Sequence, residues 1–255
     1  MRGTTRKVAV VTGASRGIGR QLAVDLAKNG FDVACVARSS REQPSKLPGT
    51  VDATAELVRL AGREALAVSL DVRDEDAIAA FAERLFESWG RCDVLVNNAA
   101  VAPPLRALDD TTRRWRLAVD VNLNGPFYFL YHLGRRMREQ GSGHAINLSS
   151  LAAAFPAFGR ASYTATKLGL EGLSQALGHD LAGRVAVNCL RIDVPVWSEG
   201  FDTTLAGERK PEYEDPVIIS DAVLWLVQQP LAHTAKIHSV TGLRAEGIVR
   251  PQTRV

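Results

Sequence analysis

Tyr163 and Lys167 stand four positions apart in the run Tyr163-Thr-Ala-Thr-Lys167. The periodicity around them predicts a helix, so the two side chains share one face a single turn apart. A free phenol holds its proton too firmly to exchange it readily at neutral pH. An ammonium about 4 Å away favours the phenolate by on the order of 4 kcal/mol at an effective dielectric near 20, before desolvation is counted. So placed, Tyr163 would give a proton to a carbonyl oxygen as hydride arrives, or take one from an alcohol in reverse. Ser150 ends the run Ile146-Asn-Leu-Ser-Ser150 at the C-terminal end of an expected strand. Open α/β sheets collect ligands at such ends, so its hydroxyl can bond the same oxygen. Each feature also has an ordinary use, the Tyr–Lys pair as a surface contact and Ser150 as a cap on a turn.

A second constellation lies near the N-terminus. Thr12-Gly13-Ala-Ser15-Arg16-Gly17-Ile18-Gly19 follows the first apolar run and opens a helical stretch. Gly13 permits a tight turn, Gly17 lets a phosphate approach the backbone, and Gly19 lets the helix pack closely. N–H groups at the helix start, with its dipole, then face a pyrophosphate. Gly13, Ser15, Arg16, Gly17, Ile18 and Gly19 are therefore candidate cofactor contacts. The spacing is G-x3-G-x-G rather than the commoner G-x-G-x-x-G.

About 20 residues further on, an acid would bond the ribose 2′-OH and select NAD. This chain has Ala37-Arg38-Ser39 there instead. Arg38 can pair bidentately with a 2′-phosphate, and Arg16 can clasp it from the other side, so NADP(H) is expected over NAD(H). A rival occupies the same turn. Gly13-Ala14-Ser15-Arg16-Gly17 also reads G-x-S-x-G, the nucleophile elbow of serine hydrolases. That elbow normally lies mid-chain, and His233 and His238 have no obvious orienting acid nearby.

The elements that must position these residues alternate along the whole chain. Strand-length runs at Val8–Val11, Asp32–Ala37, Ala65–Leu70, Asp93–Val96, Ala145–Leu148, Val185–Leu190 and Lys236–Val240 are separated by helical stretches. The latter lie near Ile18–Asn29, Val51–Ala61, Glu75–Trp89, Leu108–Glu139, Ala161–Leu181 and Pro216–Gln228. This pattern predicts an α/β fold: a doubly wound, Rossmann-like parallel sheet with helices on both faces, in one domain spanning 1–255. Gly125-Pro126 should kink or interrupt the longest helix.

Composition excludes several classes. With 46% hydrophobic residues among 255, disorder and a disulfide scaffold are ruled out. The net charge of +3 is spread among mixed acids and bases, which argues against nucleic acid as a partner. Cys35, Cys92 and Cys189 are odd in number and lie in or beside apolar runs, as buried free thiols of a reducing compartment would. No apolar run approaches the roughly 18 residues of a membrane span, and no metal-ligand cluster stands out. A soluble cytoplasmic protein is the expectation.

Taken together, these motifs resemble the short-chain dehydrogenase/reductase family. Besides the glycine turn, Ser150 and Tyr163-x3-Lys167, the match includes Asp71-Val72, Asn97-Asn98-Ala99-Ala100, Val121-Asn122-Leu123 and Gly125. The resemblance covers about residues 6–190 and implies an oxidoreductase acting on a carbonyl or secondary alcohol with NADP(H). It implies that Asp71 and Val72 bracket the adenine and that Asn98 and Ala99 line the cofactor ribose. It further implies that Asn122, at a helix interruption, holds a water linking Lys167 to solvent. A homo-oligomer, tetramer or dimer, through the two longest helices is also implied. Other readings remain: a dinucleotide-binding regulatory protein without turnover, and the hydrolase using Ser15.

Departures from the family pattern fall on the substrate side. After Asn188 the chain reads Cys-Leu-Arg-Ile-Asp-Val-Pro195-Val-Trp197, without the family's Pro-Gly turn near the nicotinamide carboxamide. Trp197, Phe201 and Leu205, in a variable segment 191–215, are candidates for an apolar pocket wall or mobile lid. The loop Ser39–Thr50 resembles that of hydroxysteroid dehydrogenase-like reductases. Thr241–Val255 lacks the family's usual ending and receives no assignment beyond a subunit contact.

Overall fold

Residues 6–102, 108, 111–156, 158–199 and 212–251 are described by the computed structural model. Its first strand, β1 (Lys7–Thr12), explains how the core divides. Successive side chains on a strand point to opposite faces. Ala9 and Val11 accordingly enter one apolar cluster, while Val8 and Val10 enter another. The next strand, β2 (Phe31–Ala37), repeats the division, with Val33 and Cys35 on the first side and Ala34 and Val36 on the second. A strand apolar on both faces belongs inside a sheet covered by helices on both sides.

Five more strands complete that sheet: β3 (Ala65–Ser69), β4 (Val94–Asn97), β5 (His144–Ser150), β6 (Ala186–Ile192) and β7 (Ile237–Ser239). All neighbouring pairs are parallel, in the order β3-β2-β1-β4-β5-β6-β7. The expected doubly wound sheet is therefore present. Its winding reverses between β1 and β4, and the crevice at that reversal, beyond the strands' C-terminal ends, is where such sheets bind ligands.

On one face lie α1 (Gly17–Lys28), α2 (Val51–Leu60), α6 (Val217–Leu226) and α7 (Val240–Ala245). On the other lie α3 (Glu75–Trp89), the long α4 (residues 112–140) and α5 (Ala161–Asp180). The boundaries of α3 coincide with those expected because both ends are marked. Asp74 accepts from the Ala77 N–H at the start, and Gly90 takes a left-handed conformation, φ 76°, at the end.

One expectation is refined and another corrected. The interruption expected at Gly125-Pro126 is present as a change of helix type rather than an end of the long helix. Two π-helical turns, Asp120–Asn124 and Leu130–Gly134, alternate with α-helical pieces, and Pro126, which has no N–H to offer, sits just after the first of them. Val240, expected to end a strand, instead opens α7, because Ser239 caps that helix by accepting from the Gly242 N–H at 3.0 Å. Cys35, Cys92 and Cys189 are free and buried, as expected. Burial pushes the Cys35 and Cys189 thiols up to about 12 and the Cys92 thiol higher still. No helix among the described residues is long and apolar enough to cross a membrane.

Candidate active site

The first turns of α5 carry Tyr163 and Lys167. Lys167 is 3% exposed, and its Nζ donates to the Leu148 carbonyl at 2.6 Å. The same Nζ lies 5.7 Å from the centre of the Tyr163 ring. No ion-pair partner of Lys167 is found among the described residues. A buried, unneutralised ammonium is costly unless nearby dipoles or developing negative charge compensate it. The strand-end carbonyl supplies the dipole, and the neighbouring phenol is where negative charge can develop.

A chain of hydrogen bonds fixes this pair. Thr166, between the two in sequence, is 1% exposed and donates from Oγ1 to the Tyr163 carbonyl at 2.9 Å. Asn122, fully buried in the first π turn of α4, donates to that Thr166 oxygen at 3.1 Å. It also donates to the Val101 carbonyl and accepts from the Val101 N–H, at 2.9 and 2.8 Å. Both amide hydrogens of Asn122 are thus spent on protein partners, so any water it holds must use an acceptor oxygen. Deeper in the helix, Ser174 joins Asn147 and Asn97 in a buried row across β5 and β4, with bonds of 2.8 Å. Glu171, one turn beyond Lys167, holds Arg191 of β6 by two bonds of 2.8 and 2.7 Å.

Ser150 ends β5, as expected. Its Oγ accepts from the Ala152 N–H at 3.3 Å, capping the short 3-10 turn Leu151–Ala153. The ordinary use and the chemical one are compatible, because the cap takes a lone pair and leaves the O–H to donate.

At the head of β1 the backbone turns through Gly13 at φ 67° and Gly17 at φ 52°, values that favour glycine. A methyl group on Gly19 would lie 2.3 Å from the Gly13 carbonyl oxygen, so the helix can start here only with glycine. Across the switch point, Asn98 donates from its side chain to the Thr12 and Gly13 carbonyls at 2.8 and 3.3 Å. Thr12 Oγ1 in turn accepts from the Asn98 and Ala99 N–H groups. The Asn98 amide therefore braces the glycine turn against β4, a role its motif did not reveal.

Ser15 is buried, at 6% exposure, rather than raised on an exposed elbow. His233 and His238 bond each other through Nε2 atoms 2.9 Å apart and rest edge-on against Trp225. No histidine bonds Ser15 among the described residues, which the hydrolase reading would require.

Arg16 and Arg38 leave the turn and the end of β2. Arg16 donates to Ser45 Oγ at 2.6 Å and to the Gly49 carbonyl at 3.3 Å, which ties the 39–50 loop to the turn. Its Nε is buried with no hydrogen-bond partner among the described residues. Burial lowers the Arg16 pKa from its ordinary value, Glu199 works against that, and the like charge of Arg38 adds to it. A dianionic group placed between the two guanidiniums would satisfy the orphaned donor and relieve the repulsion. Arg38 is largely exposed, with the Asp71 carboxylate 3.9 Å away. Asp71 is already held by Arg73 through a bond of 2.7 Å. Burial raises the Asp71 carboxyl, but the bonds and charge of Arg73, with Arg38 behind, bring it below the ordinary value. Val72 beside it is buried against Gly125.

The substrate-side segment begins as β6 ends. Asp193, directly after the last residue of β6, accepts from the Thr241 N–H at 3.0 Å, tying the strand end to α7. Val196 is 8% exposed and bridges to Glu214. Trp197 is half-buried, while Phe201 and Leu205 lie outside the described residues.

Comparison with known proteins agrees with this geometry. A family model described as short chain dehydrogenase matches residues 7–195. The chain is 36% identical over 185 residues to 3-oxoacyl-(acyl-carrier-protein) reductase FabG of Staphylococcus aureus, covering 72% of each. It is 30% identical over 241 residues to hydroxysteroid dehydrogenase-like protein 2 of Bos taurus, covering 93% of this chain and 57% of that one. A metagenomic short-chain oxidoreductase crystallised with NADP superposes with a TM-score of 0.76 at 32% identity, covering 92% of this chain and 98% of the other. Among solved structures like this chain, some hold NADP and others NAD.

Proposed function

The chain belongs to the short-chain dehydrogenase/reductase family, and from that premise we propose that it is an NADP(H)-preferring carbonyl reductase or alcohol dehydrogenase. The observation that carries the chemistry is the buried Lys167 ammonium held beside the Tyr163 ring. A bound nicotinamide supplies or accepts the hydride, and the chain's own residues manage the proton and the geometry. Tyr163 donates its phenolic proton to the substrate oxygen during reduction and accepts one during oxidation. Lys167 stabilises the phenolate left behind, and Ser150 donates to the same substrate oxygen. Asn122 and Thr166 act as positioning residues by fixing the turn that carries both groups.

Gly13 to Gly19 receive the pyrophosphate, and Arg16 with Arg38 embraces the 2′-phosphate. Asp71 and Val72 flank the adenine, and Asn98 with Ala99 shapes the ribose site from behind. A regulatory protein without turnover would have no use for the hydrogen-bonded frame around Tyr163 and Lys167. A panel of ketones and secondary alcohols, followed at the reduced-nicotinamide absorbance band, tests the proposal. Turnover of at least one substrate with NADP(H) is the expected result, and cofactor binding without any turnover across a broad panel would favour the regulatory reading.

We further infer a homo-oligomer. Trp115, Phe127 and Tyr131 on α4 and Leu168 on α5 are each 40–56% exposed, an apolar load that isolated helices seldom leave to water. Sedimentation velocity should give a mass above 27.6 kDa, and a monomer at micromolar concentration would refute it. The three unpaired thiols support a reducing compartment, the cytoplasm.

A further inference from the structure

Helix α1 begins without the usual stabilising groups. No side chain caps it, and its first turn carries no acid. Its N–H groups and partial positive charge are therefore left for an anion from elsewhere. One is present, and it comes from far along the chain. Glu199 follows β6 and places Oε1 2.9 Å from Arg20 of α1. Its side chain is only 13% exposed, and Oε2 is buried with no hydrogen-bond partner among the described residues.

The position of this carboxylate is unusual for a dinucleotide site. A methyl group on Gly17 would lie 2.7 Å from Ser198 Cβ and 3.4 Å from that same Oε2. Residues 198–199 therefore rest directly on the backbone that a pyrophosphate must approach. Phosphate and carboxylate carry the same sign and cannot share the place. The second carboxylate oxygen, buried without a hydrogen-bond partner among the described residues, is left uncompensated there, which lowers the cost of displacing it. The strap is anchored just before the contact. Trp197 N–H donates to the Glu214 carbonyl at 3.0 Å, and Glu214 N–H donates to the Pro195 carbonyl at 2.8 Å. The chain before Ser198 is thus held in place whichever anion occupies the turn.

We propose that Glu199 is an internal competitor of the cofactor pyrophosphate, seated at the head of α1 until a dinucleotide displaces it. This rests on the dinucleotide reading given above. On displacement the carboxylate regains water, and Arg20 is released to become a counter-ion of the incoming phosphate. Cofactor affinity is then the difference between two anions at one site, which makes Glu199 a determinant of the affinity and not only of the fold.

The test compares wild type, Glu199→Gln and Glu199→Ala by calorimetry with two probes, NADPH and adenosine 2′-monophosphate. The second probe has the adenosine and the 2′-phosphate but no pyrophosphate. Removing one like charge a few ångströms from the pyrophosphate should tighten NADPH by about tenfold. Adenosine 2′-monophosphate, which senses Glu199 only through its charge on Arg16, should tighten by clearly less, about threefold at most. An NADPH affinity unchanged or weakened in both variants overturns the competitor and leaves the dinucleotide reading standing. Equal tightening of both probes also overturns it, because that reports general loosening. Failure of all three proteins to bind either probe removes the NADP(H) reading on which the proposal rests, and the competitor with it.

Discussion

Tyr163→Phe should lower kcat at least a thousandfold while leaving NADPH affinity within about twofold of wild type, on the scale of general acid–base catalysis. The change removes one oxygen from a half-buried ring, so the packing of α5 is scarcely touched. What disappears is the proton source one helical turn from the Lys167 ammonium. That ammonium remains fixed on the Leu148 carbonyl, since its bond does not involve the phenol. Cofactor binding thus survives and the loss falls on kcat, the signature of an interaction made in the transition state. The measurement is steady-state turnover on any ketone found in the substrate panel, with NADPH binding followed in parallel. Retention of a tenth of wild-type kcat would show that another group moves the proton.

Much of the frame around this tyrosine was legible in the sequence because it is local. The i, i+4 spacing places Tyr163 and Lys167 together, and Asp74 and Gly90 punctuate α3 at both ends. What escaped was long-range or irregular. The π turns of α4 leave no mark on an apolar pattern, because one extra residue in a turn shifts the register only slightly. Thr166 reads as a spacer between two chemical residues, and its buried bond to Asn122 needs a helix 44 positions earlier in the chain. Glu199 is a further case. It lies 179 positions from Arg20, and no local spacing connects the two. Ser239, by contrast, carried a readable signal, since a serine before Val240-Thr-Gly is a cap, and the strand pattern hid it.

Arg38→Asp should invert the choice of dinucleotide. A charge-assisted hydrogen bond contributes about 1.5–3 kcal/mol, and two guanidiniums on one phosphate give a combined preference of 100-fold or more for NADP(H). The substitution removes one of these and adds a carboxylate that repels the 2′-phosphate while accepting from a free 2′-OH. Asp71, 3.9 Å from Arg38, stays ionised because Arg73 holds it, so the new carboxylate would join an existing negative charge. The ratio of kcat/KM for NADPH over NADH should therefore fall by about 100-fold or more, with kcat on the better cofactor nearly unchanged. Arg16→Gln separates the contributions. It should weaken NADPH and spare NADH, because the Arg16 Nε is a donor without a partner among the described residues and the group proposed to answer it is the 2′-phosphate that NADH lacks. If both variants keep the wild-type ratio, the two arginines serve the 39–50 loop alone, through Ser45 and Gly49, and the cofactor preference must be decided elsewhere.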